Sequence, residues 1–329
     1  MKFTTPINIK PNKTIDHNSR IVMLGSCFAE NIGKRLTDCE FNVVVNPMGI
    51  LYNPLSIASA LERLISGKEF TDDELFYHNG LWASFMHHGS FSHADKTEAL
   101  RMMNERLQEG HEQLKNATHL IITFGSAEVY ERDGMVVSNC HKLPAREFTH
   151  RLLSVDEITN TYCSLTTNKY TQNQAIQTTV PLSKGDELEE RRGYVTIFTI
   201  SPVRYMGEGA HHGQLNKATL LLATNEICKA TGAEYFPSYE IMMDELRDYR
   251  YYATDMIHPS EVAVDYIFER FADTYLTDEA IRTADEVRKI KKSLSHRPLH
   301  PDSGEYEKFK QKLTQQIETI TKKYPNIRL

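Results

Sequence analysis

The sequence predicts an α/β protein with a mostly parallel central sheet covered by helices on both faces. Short apolar runs alternate with stretches of helical periodicity between residues 21 and 275. Such alternation builds βαβ units, whose strands lie parallel and buried. Three of the runs end at Gly25, Gly125 and Ser201-Pro202, residues that turn a chain out of a strand. There is no internal repeat, so a solenoid or propeller is not expected.

Taken in order, residues 21–24 (IVML) form the first expected strand, and a helix follows from about Phe28. Residues 41–45 (FNVVV) are β-branched and read as the next strand. Asn53-Pro54 opens a helix, with Asn as cap and Pro in the first turn. Its apolar stripe is Ile57, Ala58, Leu61, Leu64 and Ile65. Residues 119–124 (HLIITF) are the third strand. Ser154 and Glu157 are spaced as a capping box for a further helix. Residues 194–200 (YVTIFTI) and 233–236 (AEYF) are strands, with a helix over 215–228 between them. Pro259 starts a last apolar-periodic helix.

Two stretches fall outside this rhythm. Residues 166–193 are polar and poorly periodic, an expected insertion. Residues 277–329 are rich in Lys and Arg and form a helical extension to a domain spanning 1–276. Its stripe, Phe309, Leu313, Ile317, Ile320 and Tyr324, is expected to pack on the parent domain; a homodimer contact is the sharper alternative.

The 329 residues carry a formal net charge of -6, which gives no support to a nucleic-acid surface. No apolar run reaches the roughly 18–20 residues that a membrane helix needs. The polar N-terminus lacks the apolar centre of a signal peptide. The five cysteines are scattered and never spaced as CxxC, which argues against a disulfide framework or zinc knuckle. These features together lead to an expected cytoplasmic location.

Two places carry chemistry. Gly25 lets the chain turn after the first strand and leaves Ser26 at the start of a helix, where unsatisfied amides point outward. A serine there either caps the helix or acts as a nucleophile whose oxyanion those amides hold. Far along the chain, Asp255 and His258 stand three apart before a helix. That spacing lets the carboxylate hold one ring nitrogen while the other takes a proton from a serine. Each piece is weak by itself; together they form a split Ser-His-Asp triad. Adjacent Cys27 is the rival nucleophile, but neighbouring side chains in an early turn diverge, so it is expected beneath the helix as a small hydrophobe.

His87, His88, His93, His211 and His212 have no Cys or carboxylate spacing that suggests a metal, and read as solvated or loop histidines. Trp82 and Phe85 belong either to the core or to a site wall. Arg204, after a strand, could hold a substrate carboxylate or sugar hydroxyl, or pair with an acidic neighbour of Asp255.

GSCFA at 25–29 resembles the signature of the GSCFA family, grouped with the SGNH (GDSL-like) hydrolases. NPMGILYNPLSIA (46–58), TFGSAEVY (123–130), NCHKLPAREF (139–148), SPVR (201–204) and DMIHPS (255–260) are similar to the same family. The resemblance implies a flavodoxin-like α/β/α fold. It implies Ser26 as nucleophile, His258 as base and Asp255 as its orienting acid, with no cofactor and no metal. The N–H of Gly49, with that of Ser26 or Cys27, would form the oxyanion hole. The Gly-x-Asn of that superfamily is replaced here by Gly125-Ser126-Ala127. Ser126 is the first candidate to stand in for the asparagine, and Asn46 and Asn53 are others. His141, in a motif general SGNH enzymes lack, reads equally as a substrate contact or a structural histidine. The implied activity is an ester hydrolase or O-acyl transferase acting on a small-molecule or glycan ester, an O-acetylated carbohydrate by analogy. The alternatives are a saccharide-binding protein without turnover and a thiol enzyme using Cys27.

Overall fold

The computed structural model describes residues 5–167, 193–295 and 304–329; the expected insertion lies almost wholly outside them. Along the chain run β1 (Arg20–Gly25), α1 (Cys27–Asp38), β2 (Asn42–Val45) and α2 (Pro54–Ser66). A hairpin of β3 (Phe76–His78) and β4 (Leu81–Ala83) leads to α3 (Lys96–Lys115) and β5 (His119–Phe124). Next come β6 (Glu128–Arg132), β7 (Met135–Val137), β8 (Thr149–Leu152), α4 (Val155–Thr167) and β9 (Val195–Ile200). The chain then forms α5 (Gly209–Thr231), β10 (Glu234–Phe236), α6 (Glu261–Tyr275), α7 (Asp278–Leu294) and α8 (Gly304–Lys323).

Five strands form one parallel sheet in the order β10-β9-β5-β1-β2. Counting only those strands, the order is 2-1-3-4-5, that of flavodoxin-like doubly wound sheets. Side chains alternate across each strand. Val22, Leu24, Leu120, Ile122, Phe198 and Ile200 face α2, α3, α4 and α5. Ile21, Met23, Ile121 and Ile197 face α1 and α6 on the other side. The result is three layers with a core on each face of the sheet.

Helix ends follow local chemistry. Asn53 caps α2 by accepting from Ser56 N at 2.8 Å, and Gly67 ends it in a left-handed turn. The expected capping box of α4 is only half formed. Ser154 Oγ accepts from Glu157 N, but the Glu157 carboxylate turns away to Arg151, a charged partner stronger than a backbone amide. α6 starts at Glu261, two residues after Pro259, with Ser260 as its cap.

Two antiparallel units were not foreseen: the β3-β4 hairpin and a sheet ordered β7-β6-β8. In the extension, Ala280 and Ala284 of α7 enter the main core, while Val287 and Ile290 pack with Leu313 and Ile320 of α8. Tyr324 hydrogen-bonds Glu279, and its ring lies 5.3 Å from that of His17. Phe309 departs from its stripe, being 40% exposed.

Gly25 closes β1 at φ 138°, and a Cβ there would sit 2.1 Å from the Thr123 carbonyl oxygen. Gly25→Ala is therefore expected to cost about 3 kcal/mol through backbone strain and a clash with β5. A urea titration followed by circular dichroism reads this; an unchanged midpoint would contradict the close approach of the two strands.

Candidate active site

The carboxyl ends of β1 and β5 meet where the strand order reverses, the place at which open α/β sheets bind ligands. A cavity of about 490 Å³ opens there, lined among others by Ser26, Cys27, Asn53, Ser126, Arg204 and His258. Residues from distant parts of the chain meet in it because parallel connections return every strand in the same direction.

Ser26 caps α1. Its Oγ accepts from Phe28 N at 3.3 Å and its carbonyl from Ala29 N at 2.8 Å. The residue is buried at the cavity floor. Gly125 leaves room for it, since a Cβ on Gly125 would lie 3.1 Å from Ser26 Cβ. The N–H of Cys27, in the first turn of α1, is given to no other residue among those described and lies beside its own thiol at the positive end of a helix.

Asp255 and His258 form the expected pair. Asp255 Oδ2 lies 2.7 Å from His258 Nδ1, and Oδ1 accepts from the amides of Ile257 and His258 at 2.9 and 3.0 Å. Those amides and the ring hold the Asp255 carboxyl down at about 2, so it is ionised at any working pH. A carboxylate only accepts, so Nδ1 carries the hydrogen and Nε2 of a neutral ring is bare. Ser26 and His258 border one cavity, and no hydrogen bond joins them directly in this structure.

Arg204 braces the loop. Its backbone N–H donates to Ile257 O and its Nη1 to Met256 O, at 3.1 and 3.2 Å. Among the described residues it makes no ion pair, so the expected acidic partner is replaced by carbonyls. It also borders the cavity.

Several expected roles do not survive the geometry. Gly49 does not border the cavity, and its N–H is spent on Asn46 O at 2.8 Å; it packs on His88 instead. It cannot be an oxyanion donor in this conformation. Asn46 Oδ1 takes the N–H of Gly25 at 2.8 Å, so this asparagine ties the ends of β1 and β2 and leaves the cavity to others. Asn53 borders the cavity, but both its amide groups engage Ser56. His141 is structural. Its Nε2 meets Ser84 O at 2.9 Å and its ring packs edge-on to Phe76, away from the cavity. Trp82 packs on Tyr77 and Lys96, and Phe85 stacks on Phe76.

Ser126 borders the cavity with its N–H given to Tyr52 O at 2.9 Å. Its Oγ accepts from Glu128 N and from Asn216 Nδ2, at 3.0 and 2.8 Å, leaving its own proton to give. Cys27 borders the cavity half-buried rather than packing beneath the helix. Burial and the charge of Glu30 push its thiol up, which leaves little thiolate at neutral pH.

Two groups, Glu128 and Lys217, were missed by sequence reasoning, and a third, His87, was read as a solvated or loop histidine although it is buried. Glu128, from β6, is buried at the cavity wall between His150 and His212, so His212 is paired rather than solvated. His87 is fully buried between Phe70 and Phe91, with its basicity pushed down to about 3 by desolvation. Lys217, on α5, is buried with Nζ donating to Gly125 O and Ser201 O, each at 2.8 Å. Only Lys217 left a sequence signal: with Asn216 it falls on the apolar stripe of Leu220, Ala223 and Ile227.

No helix among the described residues is long and apolar enough to cross a membrane. The model of the GSCFA family matches residues 20–184 and 185–271, and that of the GSCFA domain protein, C-terminal domain, matches 287–329. No curated protein and no solved structure matches the chain.

Proposed function

Because this chain belongs to the GSCFA family, and because a buried serine at a helix N-terminus shares a cavity with an Asp-oriented histidine, we propose that it is a serine ester hydrolase of SGNH type. The second of these observations carries the reading. Ser26 Oγ attacks the acyl carbonyl as its proton passes to His258 Nε2. Asp255 holds the ring and stabilises the imidazolium. The Cys27 N–H and the Ser126 hydroxyl are the donors left free for the oxyanion. Collapse of the tetrahedral species returns the proton to the leaving alcohol and leaves an acyl-serine. Water, or an acceptor hydroxyl in the transferase variant, then attacks that ester with His258 again as base. The alcohol part is a carbohydrate in this reading: Tyr52, Tyr130 and Tyr205 border the cavity together with Asn139, a lining of aromatic and amide groups that suits a sugar.

A fluorophosphonate probe tests it. Labelling at Ser26 that vanishes in His258→Ala is the expected result; absence of any adduct would reject the hydrolase. One observation favours a saccharide-binding protein without turnover: the N–H groups of Gly49, Gly125 and Ser126 are all spent on carbonyls, so the oxyanion hole is thin. Probe labelling separates the two readings.

Cys27→Ala leaves the backbone donor in place and removes a protonated thiol. It is expected to keep hydrolysis of an aryl acetate within about threefold, because the helix amide and not the side chain faces the developing charge. A total loss would move the nucleophile to Cys27.

A further inference from the structure

Lys217 is the buried cation that the proposed chemistry leaves unused. Its ammonium is held by two carbonyl oxygens, those of Gly125 and Ser201, and makes no ion pair among the described residues. A buried unpaired charge is costly, and an uncharged side chain packs such a position more cheaply. What Lys217 touches is the site: both carbonyls belong to residues that border the cavity, and Gly125 lies against Ser26. Its charge also acts on Cys27, at the N-terminus of α1.

We propose that Lys217 is a positioning residue of this site: it locks the carboxyl ends of β5 and β9 beneath Ser26 and supplies positive potential where negative charge develops on the substrate oxygen. This rests on the ester-hydrolase reading above. It accounts for a site whose Gly-x-Asn asparagine is replaced and whose loop amides are spent, because a fixed charge in a dry environment substitutes for a missing donor.

Burial pushes the Lys217 ammonium down to about 7, so its charge is present below neutrality and lost as pH rises above it. The charged and titratable groups around it are Cys27 of α1, Arg204 and Tyr205 after β9, Tyr239 after β10, and Arg247, Asp248, Tyr249 and Tyr252 from the loop beyond. The Cys27 thiol and the phenols of Tyr205, Tyr239 and Tyr252 are pushed up and stay neutral in this range. Asp248 is paired with Arg250 at 3.1 Å. Lys217 itself, by contrast, changes charge near neutrality.

The experiment compares the full-length wild type with Lys217→Gln, which keeps a donor without the charge, and Lys217→Arg, which keeps the charge at all pH. Hydrolysis of p-nitrophenyl acetate is measured from pH 5.5 to 9.5, with thermal unfolding as a check on the fold. The expected result is a kcat about 10²-fold lower in Lys217→Gln with KM within twofold, and substantial recovery in Lys217→Arg. The wild type loses kcat on the alkaline side, and Lys217→Arg does not. A folded Lys217→Gln with wild-type kcat overturns the proposal. If the Gln variant does not fold, an alkaline limb in Lys217→Arg identical to that of the wild type overturns it. A wild type with neither turnover nor probe labelling rejects the hydrolase reading itself, and this proposal falls with it.

Discussion

Ser26→Ala lowers hydrolysis of a short aryl ester by a factor of roughly 10⁴–10⁶, the range seen when a triad serine is removed. It also abolishes the fluorophosphonate adduct. The residue has a second duty that sets how the variant must be read. Its Oγ caps α1 by accepting from Phe28 N, so alanine also costs about 1 kcal/mol of stability. Circular dichroism establishes that the variant is folded, and the rate is then attributable to the lost nucleophile. A folded Ser26→Ala that retains most of its activity would remove Ser26 from the chemistry and leave it as a cap.

Asp255→Asn is expected to lower kcat by about 10⁴-fold with little change in the fold. The asparagine Oδ1 still accepts the amides of Ile257 and His258, so the loop keeps its shape. Its Nδ2, however, faces His258 Nδ1 in place of an anionic acceptor. Two donors cannot meet, so the ring takes the tautomer with hydrogen on Nε2, the wrong one for accepting a proton from Ser26. The imidazolium also loses its counter-charge. The wild-type carboxylate, held down at about 2, stays ionised, so its own protonation plays no part in any activity loss on the acid side in the working range. Full-rate hydrolysis by the asparagine variant would show that His258 needs no orienting acid.

The parts legible in the sequence are those governed by local rules. Continuous apolar runs marked β1, β5 and β9 to within a residue, because a strand buried on both faces admits few polar side chains. Asn53-Pro54 located the start of α2 through capping chemistry. Asp255 and His258 lie within one loop, so their pairing followed from spacing alone. Glu128 was not legible. It lies within the motif TFGSAEVY, but nothing local gives the glutamate a role until β8 brings His150 and α5 brings His212 against it. Gly49 was read as a donor from its motif, yet the tight turn after β2 consumes its N–H, and a hydrogen bond to a backbone carbonyl leaves no trace in residue identity. His141 was left open between a substrate contact and a structural role, and only its partner Ser84, on a segment far off in sequence, decides for the structural one.

By itself the chain determined its layering, the five strands of its central sheet and the identity of the Asp-His pair, because burial and short-range hydrogen bonding act between residues close in sequence. Only the tertiary structure decided that Ser26 meets His258 across one cavity, that Glu128 is clamped by two histidines and that Lys217 lies beneath the strand ends. Those relations are set by sheet order and by which helix covers which strand. They depend on where backbone donors are spent and where charge is desolvated, and both are properties of the packed molecule.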